Sequence, residues 1–426
     1  MEYILFVTYF CALCFAATKI KFIETAGLGT KTVIGLFCIK IAAGMAVWMV
    51  SHYLFNDLTD YYSTNNYGIQ EYQSLIHTPK IFFTDLFISP YNEKSEFFGS
   101  KVSYWNDLRY NIIYKVLAFT NILAQGNYYI NSLFFNFVAF LGTVALYRVF
   151  INVYPAKKWA VIVGCFLLPS TLFYSSGIHK DLIVFTSICI FCYCIFFGLQ
   201  KGFNAKKTCI LLLSFITILF IRNFIAVILL PCALAWFVSK KYSLRPLKVF
   251  GLLFIVGLAA TAFAHNFYKK ADPLLMVVEK QQAFLALGNG NTSYHMDTLQ
   301  PTFKSFITSA PAALRHSFLS PLPGEFNNVF TNLLSVEIIV YWLLFLLMLI
   351  FKLKNILQQN EFIFFGVLFT FLIFLFTGYI TTTAGALVRY RSIYLPFLIT
   401  PLLCSIDWQK IYVNLTSSNR FTVSKS

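Results

Sequence analysis

Apolar runs recur along the whole 426-residue chain, separated by short polar breaks. A helix needs roughly 20 mostly apolar residues to cross a bilayer, and runs of about that length fill most of this sequence. The fold class they predict is all-α: a polytopic transmembrane helical bundle. Composition agrees, because 58% of the residues are apolar and only 12% are charged, against about 25% charged in soluble domains. Too little polar surface remains to cover a water-facing globule. Disordered, collagenous, coiled-coil and disulfide-scaffold classes are excluded with it.

Hydropathy and breaks place spans near residues 3–18, 33–55, 128–150, 159–174, 182–199, 208–221, 224–238, 248–264, 336–351, 362–378 and 387–404, about eleven in all. The first run is short, like the core of a signal peptide. Its basic residue, Lys19, follows rather than precedes it, so it is read as a span. Residues 1–426 then form one integral membrane domain.

A formal charge of +16 suggests nucleic acid in a soluble chain. Here the placement of the charges matters more, and no nucleic-acid partner is expected. Assigning alternate breaks to one side gathers Lys19, Lys21, Lys31, Arg148, Lys157, Lys158, Lys201, Lys206, Lys207, Lys240, Lys241, Arg245, Lys248, Lys352, Lys354, Lys410, Arg420 and Lys425 together. By the positive-inside rule that side is cytoplasmic, which puts the N-terminus outside and the C-terminus inside. The opposite side holds two long segments, 56–127 and 265–335, and most of the acidic residues. The first repeats apolar residues at helical spacing, as in Ile69, Tyr72, Leu75 and Ile76 and again in Trp105, Leu108, Ile112 and Val116. Such stretches suit amphipathic helices at the outer interface; packed surface loops are the other reading.

The ten cysteines lie within or at the ends of apolar runs, and the six histidines show no paired spacing. Core packing is expected for the thiols, with no disulfide framework and no zinc site. No phosphate-binding glycine loop, dinucleotide fingerprint, nucleophile elbow or zinc-protease motif is present. ATP-driven transport by this chain alone, dinucleotide chemistry and zinc proteolysis are thereby removed.

Charges beside span ends are costly and point to function. They fall in five breaks on the predicted outer side: Asp57 and Asp60; the turn Ser175–Asp181 with His179 and Lys180; Arg222; Arg315, His316 and Glu325; and Arg389 with Arg391. A partly desolvated Asp57 or Asp60 suits a general base for an incoming hydroxyl. The pair also suits a divalent cation, although no third ligand is evident and no cofactor is assigned. In the 175–181 turn, Ser-Ser-Gly reads as a helix N-cap with His179, Lys180 and Asp181 in the first turn, a seat for an anion. Arginine grips phosphate oxygens in a bidentate manner, so these clusters point to an anionic, lipid-linked substrate. Snorkelling to headgroups is the competing account.

The motif Asp57, Asp60, Tyr61 opens the first outer segment, and a Tyr174–Asp181 hairpin ends in a basic-acidic pair. With them stand Arg222, the R-x(5)-P-L-P-x-E stretch from Arg315 to Glu325, and the A-G-A-L-V-R-Y-R run before a proline-containing span. Together they resemble the type C glycosyltransferases (the GT-C fold) and the O-antigen polymerase-like proteins of bacterial surface-polysaccharide assembly. The resemblance implies transfer from a polyprenyl-phosphate or pyrophosphate sugar donor to a saccharide or glycolipid acceptor, outside a bacterial inner membrane. It matches Asp57 or Asp60 to the base, and His179, Lys180, Asp181, Arg222, Arg315, Glu325, Arg389 and Arg391 to substrate and phosphate binding. In one respect the chain departs from type C enzymes: the acidic segment follows the second span rather than the first.

A lipid-linked sugar transporter or flippase would show paired broken helices and a repeat relating two halves. The sequence reading finds neither. A structural subunit would not need the clustered arginines.

Overall fold

The computed structural model describes residues 2–55, 60–87, 104–267, 272–286, 292–326, 329–352 and 360–414, and among them every regular element is helical. In chain order the helices are α1 (Glu2–Lys19), α2 (Lys21–Glu24), α3 (Thr30–Phe55), α4 (Asp60–His77), α5 (Pro79–Thr84), α6 (Tyr104–Ala124), α7 (Tyr128–Val153), α8 (Lys158–Phe166), α9 (Pro169–Tyr174) and α10 (Lys180–Lys201). There follow α11 (Ala205–Ile221), α12 (Asn223–Lys241), α13 (Pro246–Phe267), α14 (Pro273–Leu285), α15 (Phe303–Leu319), α16 (Val329–Ile350), α17 (Glu361–Ile380), α18 (Ala384–Ser392) and α19 (Leu395–Ser405).

Eight of these, α1, α3, α7, α10, α12, α13, α16 and α17, are long and apolar enough to cross a membrane. The chain is a helical membrane protein. The other three expected spans differ for visible reasons. Run 159–174 is cut ahead of Pro169, which starts α9 and leaves α8 with nine residues. Run 387–404 is cut between Ser392 and Leu395, with Pro396 in the first turn of α19. Helix α11 is continuous, but its 17 residues reach only about 25 Å.

The chain divides into two compact units, one of residues 1–149 and 172–226, the other of residues 150–171 and 227–426. In the first unit, α4 and α6, both in the segment where amphipathic helices are expected, pack on one another. Their contact is made by the Ile113–Leu117 side of α6, and Leu117 fits against the bare Cα of Gly68. Ile112 and Val116 are exposed instead, along with Phe119 and Leu123, which gives α6 a second apolar face. The side chain of Trp105 lies outside the described residues. Lys115 clasps the pair: it reaches Glu71 at 3.0 Å and also Asp85, and it donates to the Phe82 carbonyl.

Lipid tails are as apolar as leucine, so close packing and interhelical hydrogen bonds hold spans together. The first unit shows both. Gly44 of α3 lies against Asn136 of α7, and Gly142 of α7 against Thr186 of α10. Asn131 of α7 donates to Asn121 of α6 at 2.6 Å and to Asn65 of α4 at 3.3 Å.

In the second unit Phe362, Phe365, Phe369 and Phe397 stack around Trp236 and Phe150. Gly164 brings α8 onto Thr400 of α19, and Gly378 brings α17 onto the Ala313 backbone of α15. The helix breaks are satisfied by neighbours: Ser170 donates through its amide and hydroxyl to Glu337 of α16, each at 3.0 Å, and Thr171 donates to the Ser392 carbonyl. All ten cysteines are free thiols.

Candidate functional site

The first unit brings three of the five polar breaks together. Asp60 opens α4, with its side chain half exposed at 53%. Its carboxylate is 3.8 Å from both His179 Nε2 and Lys180 Nζ. Ser63 and Thr64, one turn on, face Tyr110, Ile113 and Tyr114 of α6, and the eight residues line one cleft. Asp57, the other expected base, lies outside the described residues.

The turn that delivers His179 is held deeply. Gly177 has φ of +76°, and a Cβ there would sit 2.7 Å from the Tyr128 hydroxyl, so glycine is required twice over. Its amide donates to Asn136 Oδ1 at 3.2 Å. Lys40, in the middle third of α3 and buried, donates to the Ser175 carbonyl and to its hydroxyl at 2.6 Å. The helix cap falls later than expected: His179 itself is the N-cap of α10, in extended conformation, rather than a residue of its first turn.

Behind the cleft, His179 Nδ1 is 2.9 Å from Asp181 Oδ2, and both side chains are 1% exposed. Asp181 is paired through its other oxygen with Arg222, also buried. The sequence reading groups Arg222 with the phosphate ligands. The structure shows its guanidinium on the Asp181 carboxylate, where a second anion would compete for the same charge. Tyr61 covers the imidazole face, with ring centroids 4.4 Å apart.

On the α6 wall, Lys180 Nζ donates to Tyr110 at 2.9 Å, and the Arg109 guanidinium stacks on that ring at 4.9 Å. Burial alone would raise the Tyr110 phenol, but these two cations bring it below its ordinary value. Burial raises Tyr114, with Tyr110 and Tyr67 adding to the effect. The sequence reading missed Tyr110, Tyr114, Arg109, Ser63 and Thr64. Their i, i+4 spacing on α6 and adjacency on α4 was the available signal.

The remaining clusters are in the second unit. Arg391 is buried and donates to the carbonyls of Ser317, at 3.2 Å, and Ser320, closing the C-terminal end of α15. Glu325 accepts from the Leu322 amide at 2.7 Å and so shapes the turn after α15. Arg315 is exposed beside His316, and Arg389 is partly buried, two residues from Arg391 on α18. Burial lowers the His316 imidazole, Arg315 lowers it further and Glu325 opposes them. Sequence reading also missed Glu337, a carboxylate inside span α16 that accepts from Ser170 and Tyr341.

Among the described residues, no group of three or more His, Cys, Asp and Glu side chains is arranged to hold a metal ion. Compared with protein-family models, curated proteins and solved structures, the chain shows no match.

Proposed function

We propose that the chain is a membrane glycosyltransferase that uses a polyprenyl-phosphate or pyrophosphate sugar donor on the extracytoplasmic face of a bacterial inner membrane. The reading extends the resemblance of the Asp60, Ser175–Asp181 and Arg315–Glu325 motifs. The observation that carries it is the cleft of the first unit, where hydroxyls, a carboxylate, an imidazole and an ammonium converge on two tyrosine rings. A polyol needs many paired donors and acceptors beside an apolar wall. An acceptor hydroxyl attacks the anomeric carbon there while the phosphate leaves with the bonding electrons. Asp60 engages the acceptor, and Lys180, the one expected phosphate ligand lining the cleft besides His179, faces the leaving oxygens. A polymerase of lipid-linked oligosaccharides differs only in the size of the group transferred.

The test is transfer from a panel of polyprenyl-linked sugars by purified protein in nanodiscs. Turnover of none of them, in the presence of saccharide acceptors, would reject the reading. One observation favours a second reading, a lipid-linked sugar transporter: two apolar runs are broken, α8–α9 and α18–α19, with α8 packed on α19. Movement of the labelled lipid across reconstituted vesicles without any bond formation would select it.

A further inference from the structure

We infer that the outward face of α6 is a lipid-docking surface: the helix lies along the membrane boundary with its exposed stripe on the acyl chains of the nearer leaflet, and the Asp60 cleft opens beside it at headgroup depth. The inference does not depend on the transfer reaction. It starts from which side chains are exposed. Among the described side chains of α6, residues 108–124, the exposed ones are Ile112, Val116, Phe119, Ile122 and Leu123, and every one is apolar. Their spacing keeps them on one side of the helix, and the other side, Ile113 and Leu117, is already spent on α4. The partner helix shows the opposite pattern. Of the exposed residues of α4, Asp60, Gln70, Gln73 and His77 are polar, with only Tyr67 and Ile76 beside them. The pair therefore turns a wet face one way and a dry face the other, the arrangement of an interfacial helix.

The chain fixes where that dry face lies. Three spans of the first unit meet at one end. Asn127, which caps α7 by accepting from the Tyr129 and Ile130 amides, also donates to Glu2 at the start of α1 at 2.7 Å. Near the end of α3, Trp48 stacks on His52 and sits 5.1 Å from the Tyr129 ring. Tryptophan and tyrosine gather where a bilayer meets water, so this girdle marks the boundary. Only Gln125, Gly126 and Asn127 separate α6 from α7. Fourteen residues before that link, about 21 Å along the helix, the Tyr110 hydroxyl accepts from Lys180, the first residue of span α10. Helix α6 is thus tied to the starts of two spans and runs over them rather than rising away. It also packs on α11, whose Leu212, Leu213 and Ile216 are exposed. Continuity with that span surface names the occupant as lipid, because a water-facing stripe of five large apolar side chains has no counterpart on α4. Tyr110, Ile113 and Tyr114, which line the cleft, flank the stripe on the same helix. A ligand carried on a lipid then reaches Lys180 by moving within the leaflet, without leaving the membrane.

The experiment uses the full chain in nanodiscs of phosphatidylethanolamine and phosphatidylglycerol, doped with a phospholipid bearing a diazirine near the carbonyl end of one acyl chain. After illumination, adducts are expected on peptides covering Ile112–Leu123 and on α11, and none on residues 63–73 of α4. Labelling of α11 without α6 would overturn the inference. A fluorescent non-canonical residue at Val116, Phe119 or Leu123 gives the second reading. Lipid with a doxyl group at the fifth acyl carbon should quench it several-fold more than aqueous iodide does, and the ratio should reverse at Gln70. Iodide quenching equal to that at Gln70 would put the stripe in water. Protection from both quenchers, with cross-links between copies, would make a second chain the occupant; either result rejects lipid docking. If the fluorescent variants fail to fold, photolabelling of the unaltered chain decides.

Discussion

Arg222 is paired with Asp181 inside the first unit, with side chains 8% and 1% exposed. Removing one member of a buried pair leaves an uncompensated charge, at a cost of about 3–5 kcal/mol, whereas replacing both with apolar groups is often near neutral. Arg222→Met should therefore lower thermal stability sharply, and Arg222→Met with Asp181→Leu should recover much of it without recovering transfer. A single variant as stable as the parent would mean that Arg222 has another role, such as gripping substrate.

Lys115 joins Glu71, Asp85 and the Phe82 carbonyl. Lys115→Met should destabilise the α4–α6 pair by about 1.5–3 kcal/mol, the range for hydrogen bonds to charged groups. Proteolysis of that segment in detergent reads the effect directly. Cleavage should accelerate near α5 and leave the spans of the second unit intact.

Gly378 is a packing requirement rather than a flexible joint. A Cβ there would lie 2.1 Å from the Ala313 carbonyl oxygen, and backbone cannot move aside cheaply. Gly378→Ala should cost about 1–3 kcal/mol, measured as a fall in melting temperature. Gly251→Ala, in the interior of α13 with open space around it, is the control expected to lose no stability and to gain up to about 1 kcal/mol.

Acid should weaken the second unit through His316. Its folded-state value is depressed, chiefly by burial, with Glu325 opposing the shift and Arg315 adding to it, so the unfolded chain binds the proton more readily. The neutral ring's stabilising contribution is present above the ordinary imidazole value of about 6.5 and is lost as pH falls through the lower folded value. Melting temperature should drop between neutral and mildly acidic pH, and His316→Gln should flatten that slope. An unchanged slope would assign the acid sensitivity elsewhere.

Orientation can be read by labelling. Cysteines introduced at the exposed positions Gln70 and Gln300 should react with a membrane-impermeant maleimide from outside intact cells, and one at Lys206 only after lysis. The reverse pattern would place the Asp60 cleft in the cytoplasm and remove the basis for a lipid-linked donor on the outer face.

Sequence periodicity and length were enough to locate the eight long apolar helices, because a bilayer-spanning run announces itself. The broken runs were less legible: Pro169 was visible, but nothing local says that Ser170 would find Glu337 across a neighbouring helix. The same limit applies to the site. Asp60, His179 and Lys180 stood out as charges at span ends, and they do meet. That Arg222 would turn to Asp181 and Arg391 to two carbonyls depends on which acceptor lies nearest after folding, and sequence spacing carries no such information. Tyr110 and Tyr114 were hidden for the opposite reason, being two among 25 tyrosines.

The seating of Gly164 on Thr400 also sets an order of events during synthesis. Helix α8, with nine residues, and α19, with eleven, are each too short to enter the bilayer as independent spans, and the residues that cover α8 leave the ribosome long after α8 itself. A nascent chain arrested before Leu395 would hold the Gly164 face bare, open to lipid or to a quality-control factor. The second unit's core therefore closes only after α19 has been made, and a chain cut short before Leu395 should be read by the cell as failed assembly rather than as a shortened tail.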